Sequence, residues 1–290
     1  MTPTVSVIIP VFNGAAYVGA AIDSVLRQEM DGVEVVVVDD GSTDATPDVL
    51  RTFGTAVRPL RQENQGVARA RNAGAALGRG QYLAFLDADD LWRPGKLARQ
   101  LGALAEQPSA QACATAFEVV DDQLRPLEVR GGVEVGLDDL LLRGNLIGTP
   151  STVMVERGLF EAVGGFDPAL SQCADWDLWI RLRTRTRLAA VREPLVLYRS
   201  HPGNMSRSVP LLETDGRRVL EKAFAMDLPE ELRDQRKRAF AANDMVLAGS
   251  YFHAGRRADA MRCAIRALGG DWRQAGRLAG FPFRAGSRSR

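Results

Sequence analysis

Over the first hundred residues, short apolar and β-branched runs alternate with segments of helical spacing. Residues 5–9, 35–38, 57–60 and 82–86 read as strands. Between them, residues 15–27, 47–53 and 67–77 place apolar side chains at helical intervals. Thr46 before Pro47 reads as an N-cap with proline at the first helical position. Strands alternating with helices predict a parallel sheet covered on both faces. Such sheets bind ligands at the carboxyl ends of their strands, around a switch in strand order.

From about residue 108 to 200 the pattern is mixed. Residues 110–120, 151–156 and 188–198 read as strands, and 175–183 as a short helix. Beyond about Pro210 the strand signals stop. Segments 211–225, 230–253 and 257–268 are helical, interrupted by Pro229 and Gly255, and the final "FPFRAGSRSR" is expected to be disordered. "YFHAGRRADAMRCAIRAL" resembles half of a helical-hairpin repeat, but it occurs once and no tandem repeat surrounds it.

Acids collect at the strand ends. "VVVVDDGSTDAT" sets Asp39 and Asp40 behind the second strand, and "FLDADD" sets Asp87, Asp89 and Asp90 behind the fourth. Single acids there are commonly caps or turn formers, the ordinary reading of Asp44 and Asp90. Three carboxylates within four residues repel one another, so Asp87 and Asp89 ask for a cation or ligand. Alternate residues of an extended segment point oppositely, so a bend is needed before both can serve one ligand. Carboxylates suit Mg²⁺ or Mn²⁺ better than Zn²⁺. The first strand runs into "PVFNG", where Pro10 and Gly14 favour a turn. Taken singly, Arg71 reads as a surface ion-pair partner, Trp176 and Trp179 as core or cleft wall, and His201 as a loop residue. His253 is given no role.

Composition narrows the class. Hydrophobic content of 46% and charged content of 25% fit a globular protein with a sizeable core. The net charge of +1 hides an asymmetry: residues 217–290 carry 16 Lys/Arg against 8 Asp/Glu, leaving the remainder at −7. That basic segment could face an anionic membrane or polymer, or be a solvated helical surface. The three cysteines, Cys113, Cys173 and Cys263, are widely spaced and form no disulfide or zinc pattern, which suits a reducing compartment. The N-terminal sequence has no basic region and apolar core of the kind that marks a signal peptide, and no apolar run approaches a membrane span. The expected location is cytoplasmic, with peripheral contact at the inner membrane face through the basic C-terminal helices.

In order, "SVIIPVFNG", "VVVVDDGSTDAT", "NQGVARARNAG", "FLDADD", "DWDLWIRL" and "YRSHPGNMS" resemble the family-two inverting glycosyltransferases of the A-type fold. The resemblance covers about residues 4–205. It implies a Rossmann-like nucleotide-diphospho-sugar transferase (A-type) α/β fold with a mainly parallel mixed sheet, here with a C-terminal α-helical extension. Residues 1–208 would then be the catalytic domain and 209–280 a helical region, with 281–290 a tail. By the same resemblance Pro10, Phe12 and Asp39, with Asp40, hold the nucleotide base, and Arg71 approaches the nucleotide. Asp87 lies near the ribose, Asp89 and His201 on Mg²⁺ or Mn²⁺ at the diphosphate, and Asp175 is the catalytic base. Ala174 stands where the family commonly has an acid, and Asp177 is the fallback base.

The partners implied are a nucleotide-sugar donor, with UDP the expected carrier, and a glycan or lipid-linked acceptor. No nucleic acid is implied. A nicotinamide oxidoreductase would need G-x-G-x-x-G after the first strand, which "PVFNGAAYVG" lacks. A nucleotidyltransferase would need a glycine- and lysine-rich phosphate loop there. A non-catalytic nucleotide-sugar or glycan binder of the same fold is the remaining alternative, and the acids at 87, 89 and 175 argue against it.

Overall fold

Every residue of β1 (Val5–Val11) is buried, as a strand flanked by neighbours and covered on both faces must be. The computed structural model describes residues 2–201, 203–204 and 208–278. After β1 the chain runs through α1 (Val18–Leu26), β2 (Val33–Asp39), α2 (Thr46–Thr52), β3 (Arg58–Arg61), α3 (Val67–Leu77) and β4 (Tyr82–Phe85). Then come β5 (Leu91–Trp92), α4 (Lys96–Glu106), β6 (Ala110–Val120), β7 (Pro126–Gly131), α5 (Leu137–Arg143), β8 (Val153–Glu156), α6 (Arg157–Ala162), α7 (Ala174–Arg183) and β9 (Arg187–Arg199). Helices α8 (Val209–Ala225), α9 (Glu230–Arg233), α10 (Arg236–His253), α11 (Arg257–Gly270) and α12 (Ala275–Leu278) complete the described chain.

Among the described residues the strands form one sheet of order β3-β2-β1-β4-β8-β6-β9-β5, with β7 added on β6. The first four strands are parallel. Beyond them the sheet is mixed: β8 runs antiparallel to β4 and β6, whereas β6 and β9 are parallel. The chain builds outward from β1 to β3, then returns to place β4 on the other side of β1. That switch opens a crevice at the carboxyl ends of β1 and β4.

Period-two alternation divides the core into two layers. Ile8, Val36, Val38 and Phe85 face one side, with residues of α3, α6 and α7. Val7, Ile9, Val35 and Val37 face the other, with residues of α1 and α4. The first layer continues into the C-terminal helices through Val219, Leu220, Ala223 and Ala239. Helices α10 and α11 pack around a smaller cluster centred on Leu247, Tyr251 and Cys263. Glu213 of α8 ties them together, accepting from Tyr251 Oη at 2.7 Å, Arg262 at 2.9 Å and Arg266 at 2.7 Å. The three cysteines are buried and unbridged. No helix among the described residues is long and apolar enough to cross a membrane.

Three local expectations are corrected. Pro10 lies inside β1, and the turn opens two residues later at Phe12. The β1–β4 register ends at Ile8, so Pro10 occupies a stretch with a ladder partner on the β2 side only, where a missing N–H is tolerated. Thr46 is inside α2 rather than its cap. Asp44 accepts its N–H at 2.9 Å, and its hydroxyl accepts from Gly14 N at 3.0 Å. Residues 150–152 form a 3₁₀ turn before β8 instead of the start of a strand. Helix α4 escapes the sequence pattern because Lys96 and Gln100, both polar, lie on its buried face. The expected tail at 281–290 lies outside the described residues.

Candidate active site

The loops after β1 and β2 are stitched together by their own polar side chains. Asn13, at φ 51°, accepts Thr43 N at 2.8 Å, while its own N–H reaches Ser42 Oγ at 2.9 Å. Gly41 sits at φ +84°, and a Cβ there would come within 2.8 Å of Asn64 N, so "DDGS" needs glycine at this position. Asp39, at the end of β2, accepts Ser42 N at 2.8 Å and Arg61 Nη1 at 2.5 Å. Asp40 accepts Gln62 Nε2 at 2.7 Å, Gln65 N at 3.0 Å and Gly66 N at 2.8 Å, pinning the segment that leads into α3. Phe12, half-exposed beside these acids in the sheet order, leaves an aromatic face open to solvent.

Behind β4 the chain bends as the acids require. Asp90 N donates to Asp87 O at 3.0 Å, closing a turn that lets Asp87 and Asp89 share one edge. Asp87 receives Arg71 Nη2 from α3, and Thr149 Oγ1 lies 3.2 Å from its other oxygen. Arg71 is buried, spans to Phe166 at 5.2 Å, and leaves its Nε without an acceptor. Asp89 Oδ2 is 3.0 Å from His201 Nε2. Burial, then the neighbouring Asp87 charge, raises the Asp89 pKa. Asp90 is fully buried and serves the frame: it accepts Ser151 Oγ at 2.6 Å and Arg199 N at 3.1 Å. Its pKa is raised well above the usual range, first by burial and then by the adjacent acids.

Asp175 is the second residue of α7. Its Oδ1 accepts Trp176 N at 2.7 Å and its Oδ2 accepts Asn145 Nδ2 at 2.8 Å. Burial pushes its pKa up to about 7, and the Asp87 charge adds to that. The Trp176 N–H, the Arg71 guanidinium and the Asn145 amide pull the other way. Asp177 is fixed elsewhere, paired with Arg181 at 2.5 Å and Lys222 at 2.7 Å. Helix α8 also steadies the approach to α7, because buried Asp215 accepts Ser171 N and Gln172 N, each at 2.8 Å. Trp176 donates to Leu140 O at 2.9 Å and Trp179 is fully buried, so both belong to the core.

A metal fit can be judged from the donors. Asp89 and His201 offer a carboxylate and an imidazole at hydrogen-bond distance, with the Asp87 carboxylate close by. Among the described residues no group of three His, Cys, Asp or Glu side chains converges. Two protein donors with the remainder from phosphate and water is how Mg²⁺ is commonly held, so the residues fit such an ion.

Sequence reading missed the loop between α5 and β8. Asn145 reaches Asp175, Thr149 and Ser151 reach the acids of "FLDADD", and Trp92 Nε1 donates to Ser151 O at 2.9 Å. Its only signal was the polar, glycine-flanked run "GNLIGTPST" between apolar segments. Tyr17 was missed as well. Its ring stacks on His201 with centroids 5.1 Å apart, and the Arg199 guanidinium lies 5.1 Å from the same ring.

A 3-2-1-4 parallel half with acids at its carboxyl edge, continued by a mixed half that carries Asp175, defines the A-type nucleotide-diphospho-sugar transferase fold. The chain belongs to glycosyl transferase family 2, whose family model matches residues 6–164. It is 30% identical over 207 residues to an uncharacterized glycosyltransferase of Rickettsia prowazekii, covering 69% of this chain and 65% of that protein. A Rickettsia felis glycosyltransferase is likewise 30% identical over 239 residues, 79% of this chain but 39% of the relative. The chain thus spans roughly two fifths to two thirds of these curated relatives. A Mycobacterium tuberculosis PGL/p-HBAD biosynthesis glycosyltransferase is 36% identical over 185 residues, 62% of this chain and 69% of that one. Staphylococcus aureus TarS 1-349, solved with UDP-GlcNAc, superposes with TM-score 0.72 at 20% identity, over 92% of this chain and 80% of that one. The Pyrobaculum calidifontis mannosyltransferase PcManGT, solved with GDP-Man and Mn²⁺, gives 0.64 at 20% identity, over 98% and 81%. These two likenesses bear on the fold.

Proposed function

We propose that the chain is a divalent-metal-dependent inverting glycosyltransferase. It would move a sugar from a nucleotide-diphosphate donor, UDP being the expected carrier, to an acceptor hydroxyl in cell-envelope glycan or polysaccharide synthesis. One observation carries the reading: a single loop holds both acid groups, Asn145 on Asp175 and Thr149 on Asp87. It is supported by the nucleotide sugars named with TarS and PcManGT and by the biosynthetic naming of the mycobacterial relative.

In this reading residues 1–208 form the catalytic unit, with 209–280 as the helical region. Pro10, Phe12 and Asp39 line the base site, and Asp40 acts through the 62–66 segment that it pins. Arg71 and Asp87 bind the nucleotide. Asp89 and His201 hold Mg²⁺ or Mn²⁺. When bound, that ion neutralises charge on the departing diphosphate.

Asp175 is the general base. Its carboxylate takes the acceptor hydroxyl proton as that oxygen bonds to the anomeric carbon. The bond from that carbon to the diphosphate breaks, and the nucleoside diphosphate leaves with the electron pair. One displacement inverts the configuration and needs no enzyme nucleophile. Peripheral contact of the basic C-terminal helices with an anionic membrane belongs to the same reading, since lipid-linked acceptors reside there. The test is a melting screen of nucleotide sugars with and without Mn²⁺, followed by donor hydrolysis. A Mn²⁺-dependent rise with one nucleotide class and release of its diphosphate are expected. No shift and no hydrolysis with any donor would overturn the reading, and binding without hydrolysis would favour a non-catalytic binder.

A further inference from the structure

We infer that the outer face of α11 is a docking surface for an anionic lipid bilayer. Met261 and Ile265 are each 63% exposed, and Trp272, just past the helix end, is 75% exposed. The opposite face of α11 buries Ala260, Cys263, Ala264 and Ala267. Ala258, Met261, Ile265 and Leu268 recur at three- and four-residue steps, so they form one stripe along the solvent side. A surface helix ordinarily turns charge outward, and this one turns out its largest apolar side chains.

Arginines edge the stripe. At 3.6 residues per turn, Arg257 falls on one side of it and Arg262 and Arg266 on the other. Arg266 and Arg262 are held inward by Glu213. Among the described residues no ion pair holds Arg257 or Arg273. An apolar stripe edged with arginine and ended by tryptophan is the composition that lies in a membrane interface. A second copy of the chain is a poor occupant, because a two-fold contact would gather Arg257 and Arg273 of both copies into one seam. The charge layout also points to an extended anionic plane: residues 217–290 carry a formal +8 and the rest −7, so the C-terminal segment is the part such a plane would attract.

The purpose of such docking rests on the lipid-linked acceptor reading, but the surface itself does not. Binding is therefore measured on the full chain without donor or metal, so its failure leaves glycosyl transfer to be judged separately. The parent chain should sediment with phosphatidylcholine vesicles containing phosphatidylglycerol at low salt, and release at high salt. Replacing Met261, Ile265 and Trp272 together by serine should weaken binding at least about tenfold with little change in melting temperature. Should that variant fold poorly, Trp272 reports in the parent: the other three tryptophans are buried, so a blue shift and quenching by brominated lipid, both lost in Trp272→Phe, are expected. No sedimentation with anionic vesicles, equal binding to pure phosphatidylcholine, or an unchanged triple variant would each overturn the inference. A concentration-dependent dimer abolished by the triple variant would overturn it in favour of self-association.

Discussion

The two sides of the cleft hold their carboxylates differently. On the β2 side, Asp39 is paired with the Arg61 guanidinium as well as Ser42 N, and Asp40 accepts three donors. On the α7 side, Asp175 has one backbone N–H and one neutral amide, with burial raising its pKa to about 7. Groups whose oxygens are already taken up act by fixing shape, as Asp40 does for the entry to α3. An acid whose charge is only just sustained near neutral pH can exchange a proton. In the proposed reading, the donor side would serve position and the acceptor side proton transfer.

The largest break in that contrast comes at Asp175. Asp175→Asn keeps the shape, and its amide oxygen still accepts Trp176 N while its N–H₂ turns toward the Asn145 amide. Glycosyl transfer should fall by ~10²–10⁴-fold while donor and Mn²⁺ affinities stay nearly constant. Stability should move the other way. The unfolded carboxyl ionises near pH 4, whereas the folded one ionises only near 7. Stability is therefore lost as pH rises between those values, and above pH 7 the folded chain carries the full cost of an ionised buried acid. Relative to the parent, Asp175→Asn should gain in melting temperature from pH 4 to pH 8. Near-parental transfer with saturating acceptor would remove Asp175 as the base and turn attention to Asp177, despite its pairing with Arg181 and Lys222.

Asp89 sharpens the donor side, as a carboxylate there that is not saturated. Asp89→Ala should weaken Mn²⁺-dependent nucleotide binding by roughly 100-fold, the scale on which metal sites respond to altered ligand sets. Removing one acid also relieves Asp90 and Asp87, so the melting temperature without metal should hold or rise. Titration calorimetry with nucleoside diphosphate in Mn²⁺ decides: parental affinity in Asp89→Ala would end the metal assignment.

Local patterns carry the first half of the fold. β1, β2 and β4 are near-continuous apolar strands alternating with helices, a signal that needs no tertiary information. The acids were legible for the same reason, because they directly follow those strands. What was not legible depends on contacts between distant residues. Helix α4 hides behind buried Lys96, which stacks on Trp92 at 3.8 Å and bonds Gln100 at 2.7 Å. Asn145 lies 30 residues before Asp175 and acquires meaning only where the loop folds over α7. Ala174 looked like a loss at the base, yet the structure supplies a partner to Asp175 from another element. The link from α8 to residues 171–172 through Asp215 is equally invisible along the chain.

That substitute partner allows the finest test of the contrast. The Asn145 amide donates to the Asp175 carboxylate and so favours its ionised form. Its other bonds, to Gly148 O at 2.8 Å and from Gly148 N at 3.0 Å, shape the loop. Asn145→Ala removes both contributions, and pH separates them. Losing the bond to the carboxylate lifts the Asp175 pKa, so the acidic limb of the transfer profile should move to higher pH. Transfer at pH 6 would then drop several-fold at most, about tenfold being the loss for each full unit, while at pH 9 most of that loss returns. Loosening of the loop acts alike at every pH and lowers the melting temperature. A profile that falls uniformly with no displacement of its limb would leave Asn145 a loop former only, and the proton-exchanging character of Asp175 would then rest on burial alone.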